Sequence, residues 1–103
     1  MKQLELVWET DCPNVDAARA VLRDALGQIG RPKRWQEWQI GVDALPPHAQ
    51  GYGSPTILVD QLDVTGQASG GSDDCCRVYL TADGLVGVPS VAAVVTRLRG
   101  ERL

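Results

Sequence analysis

The sequence has no excess of positive charge, no long apolar run and no paired-cysteine motif, and each absence removes a class of function. Its 10 Lys and Arg stand against 13 Asp and Glu, a formal net charge of −3. Without a basic footprint the chain does not read as a nucleic-acid binder, nor as a helix that lies on a membrane. Apolar stretches are short and interrupted, so no transmembrane segment is expected. Lys2, Glu5 and Glu9 punctuate the opening segment, which a secretory apolar core would not carry; the expected location is cytoplasmic. Three cysteines, Cys12, Cys75 and Cys76, are an odd count. In a reducing compartment they predict no structural disulfide framework. The Cys-x-x-Cys or His spacing of a structural zinc site is missing. So are a phosphate-binding glycine loop, a hydrolase triad, a paired-carboxylate site and any internal repeat.

What is present fits one domain spanning residues 1–103. The chain is 44% hydrophobic, enough to build a core without metal or disulfide staples. Lys2 to Glu9 alternates, with Leu4, Leu6 and Trp8 on one side and Glu5, Val7 and Glu9 on the other. That pattern predicts a strand buried mainly on one face. Val15, Ala18, Val21, Leu22, Ala25, Leu26 and Ile29 recur at helical spacing, with Gly30 as the stop and Pro32 beyond it. Arg34 to Val42 predicts a second strand parallel to the first, with Trp38, Ile40 and Val42 on one face. Trp35 fits that alternation poorly.

Between Asp43 and Ser54, two adjacent prolines leave room for one short helical turn around the only histidine, His48. Thr56 to Val59 has the β-branched, apolar composition of a central strand. Leu62-Asp63-Val64 predicts its antiparallel return. Gly66 to Asp74 is a Gly/Ser-rich loop, and Cys76 to Leu80 is a further short strand turning at Ala82-Asp83-Gly84. A last helix opens at Pro89 and buries Val91, Val94, Val95 and Leu98. The order predicts a small α/β sandwich, a mixed sheet with flanking helices.

Thr10-Asp11-Cys12-Pro13-Asn14 is the most informative stretch. Pro13 suits the first helical position, which would make Cys12 the N-cap. A sulfur there meets unpaired N–H groups at the positive end of a helix dipole, an environment that favours the nucleophilic thiolate. Asp11 and Asp16 oppose this, and Arg19 could offset them by reaching back along the helix. The same position also suits a small capping residue without chemistry. His48 could reach Cys12 as a base, although a loop histidine at the surface is the commoner outcome.

A strand, Cys12-Pro13, an amphipathic helix and then Ser54-Pro55-Thr56 opening a buried strand together resemble the thioredoxin fold, and more closely the glutaredoxins. The resemblance spans Lys2 to Leu98. It implies a thioredoxin-like, glutaredoxin-type fold with a cis peptide at Ser54-Pro55. It further implies thiol–disulfide exchange through Cys12, with Pro13, Ser54 and Pro55 at the substrate and the Ser54 backbone open for strand-like pairing. Where dithiol members carry a second cysteine, this sequence has Val15, so the motif is monothiol-like. The layout implies that the insertion bearing Cys75 and Cys76 starts near Cys12, and that one of them resolves a mixed disulfide. The alternation places Cys76 with apolar Val78 and Leu80, and Cys75 with Arg77 and Tyr79.

Gly70-Gly71-Ser72-Asp73-Asp74 resembles the glutaredoxin segment that holds glutathione. No bound cofactor is implied, with glutathione a possible co-substrate, and the implied partners are protein or small-molecule thiols and disulfides. Cys76-Arg77-Val78-Tyr79 with Cys12-Pro13-Asn14 also resembles small bacterial thioredoxin-like proteins related to alkylmercury lyases. Two alternatives therefore stand beside exchange. One is a non-catalytic binding module. The other is a thiolate binder of soft metals or mercurials.

Overall fold

The β-rich alternation of Leu4–Glu9 places this segment, β1, inside the sheet, and the remaining elements assemble around it. In the computed structural model, residues 2–66, 79–81 and 84–100 are described. Helix α1 spans Val15–Gln28, β2 Gln36–Ile40, β3 Thr56–Val59 and β4 Leu62–Asp63. A 3₁₀ turn at Pro47–Ala49 lies between β2 and β3. Strands β5 (Tyr79–Thr81) and β6 (Gly84–Val86) pair antiparallel, and α2 spans Val91–Leu98. The main sheet runs β2-β1-β3-β4, with β2 parallel to β1 and the other neighbours antiparallel. The chain is therefore α/β with a four-stranded mixed sheet and two helices among the described residues. None of these helices is long and apolar enough to cross a membrane.

Both helices pack on one face of the sheet. Leu4 and Leu6 of β1 and Ile57 and Val59 of β3 meet Val15, Ala18, Leu22, Ala25 and Leu26 of α1 and Val94, Val95 and Leu98 of α2. The apolar spacing marks these positions and also Val21, Ile29 and Val91, which are only partly buried, and α2 begins at Val91 after the Ser90 cap, not at Pro89. Helix α1 ends in a Schellman arrangement: Gly30, at φ 69°, lets its own N–H reach Gly27 and the Arg31 N–H reach Leu26. Ser90 caps α2 by accepting from the Ala93 N–H at 3.1 Å. Near the other end of α2, Arg97 donates to the Val64 carbonyl and ties the helix to the exit of β4.

The second face departs from the expected half-wet strand. Glu5 and Val7 are both fully buried. Ala49, Leu45 and Tyr52, from the segment between β2 and β3, pack there with Val7, Leu58, Trp38 and Ile40. A loop carrying one 3₁₀ turn covers a face that would otherwise be solvated, so β1 is buried on both sides. Val42 falls beyond β2 and is exposed, whereas Trp35 precedes the strand and packs toward the helix side. The outer edge of β2 is closed locally. The Gln39 N–H donates to Asp43 Oδ2 at 2.7 Å, and the Gln39 carbonyl accepts from the Val42 and Asp43 N–H groups. At Gln39 the edge therefore has no free main-chain group to offer another strand.

Gly87 lies against the beginning of α1. A Cβ there would come within 2.2 Å of the Asn14 amide nitrogen and 2.4 Å of its carbon. Gly87→Ala should therefore cost about 1–3 kcal/mol by displacing Asn14, and Asn14→Ala in the same chain should recover most of it. Denaturant unfolding of the two single variants and the double variant checks this; simple additivity would contradict it.

Candidate functional site

Strand β1 leaves the sheet at Glu9, and Asp11, at φ 67°, turns the chain toward α1. Asp is among the few non-glycine residues that enter this left-handed region readily. The Cys12 N–H folds back onto the Glu9 carbonyl at 3.1 Å. The N-cap of α1 is Asn14, whose side chain makes no capping bond and whose carbonyl accepts from Ala18. Cys12 is thus not the N-cap, and Pro13 is not the first helical residue. The 9–12 turn consumes the geometry that a cap at Cys12 would need and shifts the helix start to Val15. Since the field of a helix end fades within a turn, Cys12 receives less of it than an N-cap would. Its side chain is half-buried against the helix-side core.

Ser54 meets the same residue from the other direction. The Glu9 N–H donates to Ser54 Oγ at 2.9 Å, so Glu9 holds Ser54 by its N–H and Cys12 by its carbonyl. The Ser54–Pro55 peptide is cis, as the resemblance implies. Both residues are buried, so the open backbone edge expected at Ser54 is not found. The Ser54 hydroxyl is turned onto β1, and buried Tyr79 donates its hydroxyl to the Pro55 carbonyl. Pro13 remains exposed beside Cys12. Cys75 and Cys76 lie outside the described residues, as does the Gly70 to Asp74 segment.

Arg19 does not reach back to Cys12. Its guanidinium forms a two-point bond to Glu37, with Nε at 3.0 Å and Nη2 at 2.9 Å, contacts Asp16 through Nη1 at 3.0 Å, and lies 5.3 Å from the centre of the Trp8 ring. Trp35 adds its indole N–H to Glu37 at 2.9 Å. The Arg19 hydrogen bond, outweighing the opposing effect of partial burial, holds the Glu37 carboxyl below its ordinary range. Glu37 in turn keeps Arg19 more firmly protonated.

His48 is not turned to Cys12, where it could have served as a base, and is instead bonded to Glu5. Its Nε2 lies 2.8 and 3.0 Å from the two oxygens of Glu5, on the sheet face opposite the helices. The Trp38 indole donates to Glu5 Oε2 at 2.7 Å. No family model, curated protein or solved structure matches the chain. The site is therefore read from its own geometry. Among the described residues no three His, Cys, Asp or Glu side chains converge as a metal set. Sequence reasoning missed the Glu5–His48–Trp38 cluster. The one available signal was an acid flanked by apolar residues in Leu4-Glu5-Leu6-Val7.

A carboxylate whose folded titration is depressed contributes stability that is complete above its unfolded value and lost as pH falls through the folded one. The wild type should accordingly lose a step of stability on acidification from about 4.5 downward that Glu37→Gln lacks. At neutral pH the substitution should cost about 1 kcal/mol. Urea midpoints of both proteins across the acidic range test this; parallel acid sensitivity would contradict it.

Proposed function

We propose that the chain is a thiol–disulfide oxidoreductase with a thioredoxin-like, glutaredoxin-type fold, acting through Cys12. The observation that carries this reading is the convergence on Glu9. One residue at the end of β1 binds the Cys12 N–H through its carbonyl and the Ser54 hydroxyl through its N–H. Two segments more than forty positions apart in sequence are thereby fixed at one corner, next to the start of α1. The mixed sheet in the order β2-β1-β3-β4, with a helix after β1 and another after the β3–β4 hairpin, supports the same reading. Exposed Pro13 forms the outer rim at Cys12, while Ser54 and Pro55 back the corner from inside.

Exchange begins when the Cys12 thiolate attacks one sulfur of a substrate disulfide. The Cys12 sulfur becomes bonded to that sulfur, the substrate S–S bond breaks, and the other substrate sulfur leaves as a thiolate. A second thiolate then attacks the Cys12 sulfur and releases the remaining substrate half. With Cys75 or Cys76 in that role, the protein ends oxidised by two electrons and the substrate reduced to two thiols. With glutathione in that role, a glutathionylated Cys12 forms first and a second glutathione frees it as glutathione disulfide. Tyr79, three positions after Cys76 in sequence, donates its hydroxyl to the Pro55 carbonyl.

One observation favours the non-catalytic binding module instead: Cys12 lies two residues before the N-cap, with less of the helix field than an activated thiol at the cap would have. The two readings separate in a single assay. Cys12→Ser should remove exchange with a small-molecule disulfide such as hydroxyethyl disulfide in the presence of glutathione, while unfolding stability changes by less than about 1 kcal/mol. Full activity in the serine variant would end the exchange reading, and absence of activity in the wild type would favour the binding module.

A further inference from the structure

The Glu5–His48 pair lies away from Cys12, on the other face of β1, yet His48 belongs to the segment that ends at Ser54. Glu5 is fully buried, both of its carboxylate oxygens face His48 Nε2, and Oε2 also accepts from Trp38. A buried carboxylate is tolerated only while hydrogen-bonded or paired. Around it, β2 contributes the Trp38 indole, β3 contributes Leu58 opposite Glu5, and the covering segment contributes His48. Among the described residues His48 is the one basic group bonded to it. Lifting the covering segment from the sheet at His48 therefore also strips Glu5 of its basic partner. Without the segment, the Trp38 indole alone remains bonded to Glu5 among the described residues.

The same segment touches β1 again at Ser54 Oγ, through the Glu9 N–H. Between these two bonds Ala49 packs with Val7 and Leu58. Strand and segment are thus clamped at Glu5–His48 and at Glu9–Ser54, and the second clamp shares Glu9 with the Cys12 turn. We propose that Glu5 and His48 are positioning residues for the Cys12 site, latching the segment so that Ser54 stays on Glu9 and the Cys12 turn keeps its geometry. This rests on the reading of Cys12 as the reacting group. The latch works at a distance, through a backbone amide that reports on it directly.

Amide hydrogen exchange of Glu9, measured by NMR, reads the second clamp. In His48→Ala the Glu9 amide should exchange about tenfold faster or more, while the Leu22 and Leu26 amides inside α1 keep their wild-type protection. Alkylation of Cys12 by iodoacetamide at fixed pH should change several-fold in the same variant. His48→Gln keeps a donor near Glu5 and should restore most of the Glu9 protection and the wild-type alkylation rate; it also serves where the alanine variant does not fold. An unchanged Glu9 amide would overturn the proposal. So would a rise shared equally by Leu22 and Leu26, a glutamine variant no better than alanine, or an exposed Glu9 amide with unaltered Cys12 alkylation. Neither readout uses a disulfide substrate. The latch can therefore fail while exchange activity stands, and exchange activity can be absent while the latch holds.

Discussion

A carboxylate with no exposed surface, in the middle of a central strand, dictates what must lie above it. Glu5 occupies that position, and the segment between β2 and β3 meets the demand with His48 while β2 meets it with the Trp38 indole. The cost of leaving such a group unpaired is several kcal/mol, a large part of a small domain's net stability of about 5–15 kcal/mol. The constraint therefore reaches beyond the pair itself. It keeps a proline-containing loop pressed onto a sheet face that no described helix covers, and that loop delivers Ser54 to the end of β1. The helix side needs no comparable device, because aliphatic side chains from α1, α2, β1 and β3 fill it.

The same packing brings two chain segments to Glu9 at the end of β1. The Glu9 carbonyl accepts from the Cys12 N–H and the Glu9 N–H donates to the Ser54 hydroxyl. Of the nearby charges Arg19 is held by its partners, whereas Glu9 Oε2 is buried with no hydrogen-bond partner among the described residues. Arg19 is committed to Glu37, Asp16 and the Trp8 ring. Gly87 lies against the Asn14 side chain at the start of α1.

Elements governed by local periodicity were legible in the sequence. The alternation in β1, the helical spacing from Val15 to Leu26, the β-branched run of β3 and the apolar face of α2 each led to the observed element, because each depends on neighbours within a turn or a pleat. The stop at Gly30 was legible for the same reason. The cis peptide at Ser54–Pro55 was reached only through the family resemblance, since Pro55 opening a strand is equally compatible with a trans bond. What was misread depends on distant partners. Glu5 looked solvated because His48 stands forty-three positions away, and nothing in either local stretch announces the pair. Cys12 looked like an N-cap because Pro13 is suited to a first helical turn, but the bond from its N–H to Glu9 begins the helix later. Arg19 looked free to approach Cys12 until Glu37, on β2, claimed it.

The claim that the Glu9 corner is a thiol-exchange site turns on whether Cys12 stands apart from the other two thiols and can be joined to one of them. Mass-resolved alkylation of Cys12, Cys75 and Cys76, before and after mild oxidation with a limiting disulfide, measures both. The account predicts that Cys12 is alkylated fastest in the reduced protein. It also predicts that oxidation protects Cys12 together with one of Cys75 and Cys76 as an intramolecular disulfide, or as a mixed disulfide that free glutathione reverses. Three thiols alkylated at the same rate, with Cys12 still free after oxidation, would contradict it.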